Sequence, residues 1–207
     1  MLTSKLVYLF LILVTIVIFM IWQMTAYKVQ EPSYSLLKKE GSIEIRHYSS
    51  LIIAQVDVKG ERKSAIQTGF KILANYIFGN NNVHKKIAMT APVMQQGLNQ
   101  HPPIDNLPNA KDAWAIRFVM PSLYSIETLP KPINEAIEIV GVPNKKYAVI
   151  RFRGLSQSSN LDEHEAILRA YIVKHQLKVI GEVIYAFYNP PWILPFLRRN
   201  EILLEIE

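Results

Sequence analysis

The chain reads as an α+β protein: one antiparallel, barrel-like domain with an internal pseudo-twofold repeat, preceded by an apolar N-terminal helix. Three observations predict this. Ile43, Glu44 and Ile45 recur as Ile137, Glu138 and Ile139, and at the same offset of 94 residues Ala54 returns as Ala148, Val56 as Ile150, Val58 as Phe152 and Gly60 as Gly154. In each copy the apolar period then changes from two to about 3.6 residues, the mark of a strand giving way to a helix. Residues 6–24, finally, are apolar apart from Thr15 and Gln23.

The N-terminal stretch comes first. About 19 apolar residues, at roughly 1.5 Å per helical residue, reach across ~30 Å of hydrocarbon. Trp22 and Tyr27 stand where an interfacial aromatic belt would fall. A cleaved signal peptide is the rival, but its apolar core is usually shorter, and Met24-Thr25-Ala26 is a poor cleavage site. The expectation is an uncleaved signal anchor over residues 1–28. That makes a single-pass membrane protein, with residues 6–24 in the lipid bilayer and a domain of residues 29–207 outside the cytoplasm.

Within that domain, Ile43 and Ile45 and the run from Leu51 to Val58 predict two strands joined by a turn at Ser49 and Ser50. Ile66, Phe70, Leu73 and Ile77 share one helical face, and Gly79 supplies the stop. Lys86-Ile87-Ala88-Met89-Thr90-Ala91-Pro92-Val93-Met94 reads as a buried strand with an irregular, Pro-punctuated centre. Residues 97–111 form a polar, Pro-rich loop, and residues 113–120 alternate as a strand. The second copy repeats the plan. Asn160 is the expected N-cap of its helix, with Glu163 three residues on. Leu161, Ile167, Leu168 and Tyr171 supply the helix's apolar face, and strands follow at residues 184–188 and 202–206. The two strand–strand–helix–strand–strand copies (βαββ-type halves, about 34–121 and 130–207) each leave a sheet face bare, so they must close on one another.

Composition narrows the chemistry. With no cysteine there is no disulfide, thiolate metal site or cysteine nucleophile. The net charge of +6 is spread in single and paired Lys and Arg, not in a basic stripe interleaved with aromatics, which argues against a nucleic-acid partner. His47, His84, His101, His164 and His175 stand singly, in no metal-binding or catalytic array. Asp162, Glu163 and Glu165 read as the favourable first turn of a helix. Met89, Met94 and Met120 read as flexible core filling. No enzyme is indicated.

Two segments carry a resemblance. KIAMTAPVM at residues 86–94, and Tyr188-Asn189-Pro190-Pro191-Trp192 followed by Pro195-Phe196-Leu197-Arg198-Arg199-Asn200-Glu201, resemble the hallmarks of the SOUL haem-binding protein family. The likeness runs, with gaps, from about Tyr34 to Glu207 and suggests a bacterial-type, membrane-anchored member. It implies a distorted eight-stranded barrel flanked by two helices, and a non-covalent haem site beside the first helix and the loop before the last strand. On this sequence those places are Gln67, Phe70, Leu73, Asn75 and Ile77, with Pro191, Trp192, Ile193 and Phe196 opposite. His47, in Ile43-Glu44-Ile45-Arg46-His47-Tyr48, matches the proposed axial iron ligand of some members; a strand-end histidine bonded to backbone is the other reading. Basic residues carried by some members on the first helix are here Gln67 and Asn75, with Lys63 and Lys71 nearby. The implied function is a haem or tetrapyrrole carrier, buffer or sensor. The alternative is a generic module for small amphipathic ligands, as in effector-binding domains of bacterial regulators; an enzyme acting on tetrapyrroles comes third.

Overall fold

The computed structural model describes residues 29–98 and 113–207, together with positions 5, 8, 10–12, 14 and 15. Among the described residues nine strands form one antiparallel sheet: β1 (Tyr34–Glu40), β2 (Ile43–Tyr48), β3 (Leu51–Lys59), β4 (Val93–Gly97), β5 (Ala113–Val119), β6 (Ile137–Val142), β7 (Lys145–Phe152), β8 (Ile184–Phe187) and β9 (Asn200–Ile206). Helix α1 (Arg62–Ile77) follows β3, α2 (Ser158–Lys174) follows β7, and a short 3-10 turn, Pro195–Leu197, precedes β9.

The hydrogen-bonded order is β1-β2-β7-β9-β8-β4-β5-β3-β6. Without β1, this order reads the same from either end once each strand is exchanged for its counterpart in the other half (β2 for β6, β3 for β7, β4 for β8, β5 for β9), with the pseudo-axis between β8 and β4. The first strand of each half has left its own half: β2 pairs with β7, and β6 with β3. Strands six places apart in this order, β2 and β3 or β6 and β7, are nevertheless joined by two-residue turns (Ser49 and Ser50; Pro143 and Asn144). Only a strongly curled sheet brings those ends together. The result is a half-barrel of nine strands with β1 and β6 as edges, in place of the expected eight-stranded barrel.

The additional strand, β1, escaped the alternation test because Tyr-Ser-Leu-Leu-Lys-Lys-Glu is solvent-exposed along its whole length. It is held by its backbone ladder to β2. Gly60 and Gly154, equivalent in the repeat, both carry positive φ (115° and 108°), which a side chain resists, as the chain leaves β3 and β7.

Both helices lie on the outer face of the curl. Under α1, Leu73, Tyr76 and Ile77 pack on Ala54, Val56, Ile116 and Phe118; under α2, Leu161, Leu168 and Ile172 pack on Ile45, Ala148, Ile150 and Ile202. Each buried aliphatic side chain contributes about 1.5–3 kcal/mol. The closest approach is at Gly69, where a Cβ would stand 2.5 Å from Ile116 Cγ1. Gly69→Ala is therefore expected to lift α1 from β5 and destabilise by about 1–3 kcal/mol, read as a lower urea midpoint. A rise in stability, as at an open helical site, would show that the helix moves freely there.

Three expectations change. Residues 86–92 are not strand: Pro92 has no N–H for a ladder, and β4 begins after it, although Ile87 and Ala91 are buried as predicted. Helix α2 starts at Ser158, so Asn160 lies inside its first turn, and its amide donates to the carbonyls of Arg153 and Leu155. The single-pass membrane localisation is corrected outright. Among the described residues no helix is long and apolar enough to cross a membrane. A span needs about 20 apolar helical residues, and α1 and α2, of 16 and 17 residues, spend one face on the sheet and turn the other to water. Most of the expected anchor, residues 6–24, lies outside the described residues, as do residues 99–111 of the expected Pro-rich loop.

Candidate functional site

Strand alternation that sends one set of side chains under the helices sends the other set inside the curl. At one end this inner space is filled by a charged network. Arg46, 1% exposed, grips Glu201, 0% exposed, through two bonds of 2.8 and 3.0 Å. Its Nε donates to Glu44 at 2.7 Å, and its Nη1 also donates to the Tyr48 hydroxyl at 2.9 Å. Glu201 accepts further bonds from the Tyr188 hydroxyl (2.8 Å) and Arg199 Nε (2.9 Å), and Arg199 reaches on to Glu31 at 2.8 Å. The Tyr34 ring lies 4.4 Å from the Arg46 guanidinium and the Tyr188 ring 3.7 Å from that of Arg199. Burial alone would lower the pKa of Arg46, but its bonds and attraction to Glu201 outweigh that and raise it. The same balance raises Arg199. Burial raises Tyr188 well above the usual phenol value.

Next to the network the inner face is open. A cleft of about 270 Å³ has Ile53, Met94, Val140, Ile184 and Leu203 as apolar walls, with Tyr48, Tyr147 and Tyr188 among them. Its charged members are Arg117, Lys145 and Glu205, and Lys145 and Glu205 neutralise each other at 2.6 Å. Arg117 Nε donates to Gln55 Oε1 at 2.6 Å, and Gln55 passes a bond of 3.1 Å to Asp57. A larger cleft, about 720 Å³, adjoins this one and shares Pro32, Ser49, Leu51, Val142 and Pro143 with it. Sequence reading missed Arg117. The signal was a single charge in Ala113–Val119, at a position that alternation sends inward.

The residues picked from sequence lie elsewhere, on the outer face. Gln67 and Asn75 are exposed on α1, and Phe70 is 38% exposed with its ring edge-on to Phe118 at 5.4 Å. Leu73 and Ile77 are buried in the core beneath the helix. Trp192 (65%) and Phe196 (55%) are exposed on the loop before β9, while Ile193 is buried. Residues 154–156 link the two elements: the Gly154 N–H donates to the Pro195 carbonyl at 3.0 Å, and Arg62 at the start of α1 donates to the Ser156 carbonyl at 2.7 Å. Arg198 fastens the loop by donating to the carbonyls of Ile193 and Pro191. His47 is half-buried on β2, opposite Ser35 and Lys146, and its carbonyl accepts a bond from the Ser35 hydroxyl. It is thus on a strand flanked by β1 and β7, whereas α1 packs on β3 and β5.

Comparison with known proteins identifies the fold and the family. The C-terminal domain of EcmrR shares the fold with a TM-score of 0.60 at 9% identity, covering 84% of this chain and 98% of that one. A hydrolase from Listeria innocua does so with a TM-score of 0.55 at 12% identity, covering 83% and 94%. At such identities the likeness is one of fold alone. Sequence relatives are nearer. Heme-binding protein 2 of Homo sapiens is 32% identical over 167 residues, 79% of this chain and 78% of that protein. Heme-binding protein 1 of Xenopus laevis is 26% identical, covering 80% and 84%. Residues 29–205 match the family model described as SOUL heme-binding protein, and so this chain belongs to the SOUL family.

Proposed function

We propose that the chain binds haem or a related tetrapyrrole non-covalently and serves as a carrier, buffer or sensor, without turnover. The observation that carries this reading is the family match, which extends over residues 29–205. Its location rests on the outward-facing aromatics. Phe70 on α1 and Trp192 and Phe196 on the loop before β9 leave apolar ring surface in water on two elements joined through residues 154–156, and a flat macrocycle would cover that surface. In this reading Leu73 and Ile77, buried beneath α1, back the haem surface, and the exposed Gln67, Lys63 and Lys71 are the polar side chains of the same helix offered to the propionates.

Haem titrated into the full chain and followed by absorbance is expected to saturate at one equivalent with a shifted Soret band. Trp192→Ala with Phe196→Ala is expected to raise Kd about tenfold, since each lost ring contact is worth roughly 0.5–1.5 kcal/mol and about 1.4 kcal/mol is a factor of ten. Both side chains are exposed, and circular dichroism of the double variant checks that it folds. A weak, non-saturating change would sink the reading. We assign His47 no contact with haem in this groove, so His47→Ala is expected to change neither stoichiometry nor spectrum. Loss of a six-coordinate ferric spectrum would transfer the iron to His47.

A further inference from the structure

We propose that the inner cleft is a second ligand site, separate from the outer groove, for an amphipathic monoanion, an alkyl carboxylate, with Arg117 as its anchor. The chain pairs two other arginines with carboxylates. Arg46 is bonded to Glu201 and Glu44, and Arg199 to Glu201 and Glu31. Arg117, half-buried on β5, has no carboxylate ion-paired to it among the described residues; its hydrogen-bond partner is the neutral amide of Gln55.

The other charges around it do not change this. Lys145 and Glu205 cancel. Asp57 is exposed and bonded to Gln55, and Glu138 is exposed on β6, across Gln55 in the strand register, with Gln55 between it and Arg117. On β4, Met94 is the register neighbour of Arg117 and brings no charge. A cation held at an apolar wall with a neutral hydrogen-bond partner carries a desolvation cost, which the attraction of Tyr147 and Asp57 offsets only in part. A carboxylate that meets the guanidinium fork removes that cost and gains paired, charge-assisted bonds. Burial indeed holds the Arg117 guanidinium below its ordinary pKa.

The apolar walls set the rest of the ligand. A cleft of about 270 Å³ holds about nine groups of water size at roughly 30 Å³ each, which suits an alkyl chain of about eight to ten carbons. The adjoining cleft of about 720 Å³ leaves room for a longer tail. With one unpaired positive charge in the lining, a single negative head group is the complement, and an ammonium head group is rejected.

Calorimetric titration of the full chain with decanoate, decanol and decyltrimethylammonium tests this without any variant. Decanoate is expected to bind saturably at one equivalent, decanol at least tenfold more weakly, and the ammonium compound not at all. Arg117→Met, shown folded by circular dichroism, is expected to lose at least tenfold in decanoate affinity. Equal binding of the three head groups, or full affinity in Arg117→Met, overturns the proposal. Should that variant not fold, the head-group series alone decides. The site stands independently of the haem reading: decanoate is expected to bind equally with hemin already present, and competition between the two would overturn the separation of the sites. Decanoate binding in a chain that ignores hemin would remove only the haem reading.

Discussion

Glu201→Ala is expected to cost about 3–5 kcal/mol of stability, the usual consequence of stripping one partner from a buried charge pair. Glu201 has no exposed surface and accepts bonds from Arg46, Arg199 and Tyr188. Arg199 keeps Glu31 when it is gone. Arg46 does not fare so well: 1% exposed, it retains Glu44 on Nε, but the charge at its two terminal nitrogens is left without a carboxylate. For a domain of this size the loss corresponds to a fall in Tm of about 6–20 °C. Arg46→Met combined with Glu201→Leu is expected to recover at least half of it, because replacing both charges leaves none buried alone. Thermal and urea unfolding of the two variants check the pair of results. A loss under about 1 kcal/mol for Glu201→Ala, or a double variant no better than the single, would show that the network fills space rather than balances charge. Either finding would also weaken the contrast between Arg46 and Arg117 on which the second site is built.

The outer shell of this protein was legible from local pattern, and the inner space was not. The repeat of Ile43 and Ile45 at Ile137 and Ile139, with the change to helical period after Gly60 and Gly154, located both helices and most strands. The face of α1 was read slightly rotated. Ala65, Gly69, Leu73 and Tyr76 form the buried stripe, and Phe70 sits at its edge, because Ile116 packs against a glycine that a hydrophobicity reading scores as nothing. Strand exchange between the halves was invisible, since a strand's own sequence does not say whether its partner is near or distant. The Arg46–Glu201 pair spans 155 positions and was hidden for the same reason. Arg117 shows the limit most clearly. Its inward direction follows from the alternation of β5, but that it lacks a carboxylate emerges only when Gln55 and Met94 are known to flank it.

Between about pH 10 and 12 the domain is expected to unfold cooperatively. Burial pushes the phenols of Tyr48, Tyr76 and Tyr147 up to about 12 in the folded chain, against roughly 10 when unfolded. A raised pKa means that the fold favours the protonated phenol. The corresponding stability is complete below about pH 10 and is lost as pH rises toward 12. At about 1.36 kcal/mol per unit, shifts of this direction on three phenols together oppose ionisation by several kcal/mol, a large part of a domain's stability. The phenolate absorbance should therefore rise in one steep step together with loss of the β-sheet circular dichroism. Tyr147→Phe isolates the effect. Its hydroxyl has no hydrogen-bond partner among the described residues, so the substitution removes an ionisable group and no bond, and the alkaline midpoint should move upward. Tyr76→Phe, by contrast, also gives up the 2.6 Å bond to the Pro130 carbonyl and should lose stability at neutral pH. A gradual phenolate titration near pH 10 with the dichroism unchanged would mean that these rings meet water far more than their burial implies. Tyr147 lines the inner cleft, so that outcome would also describe a cleft wider and wetter than an alkyl chain requires.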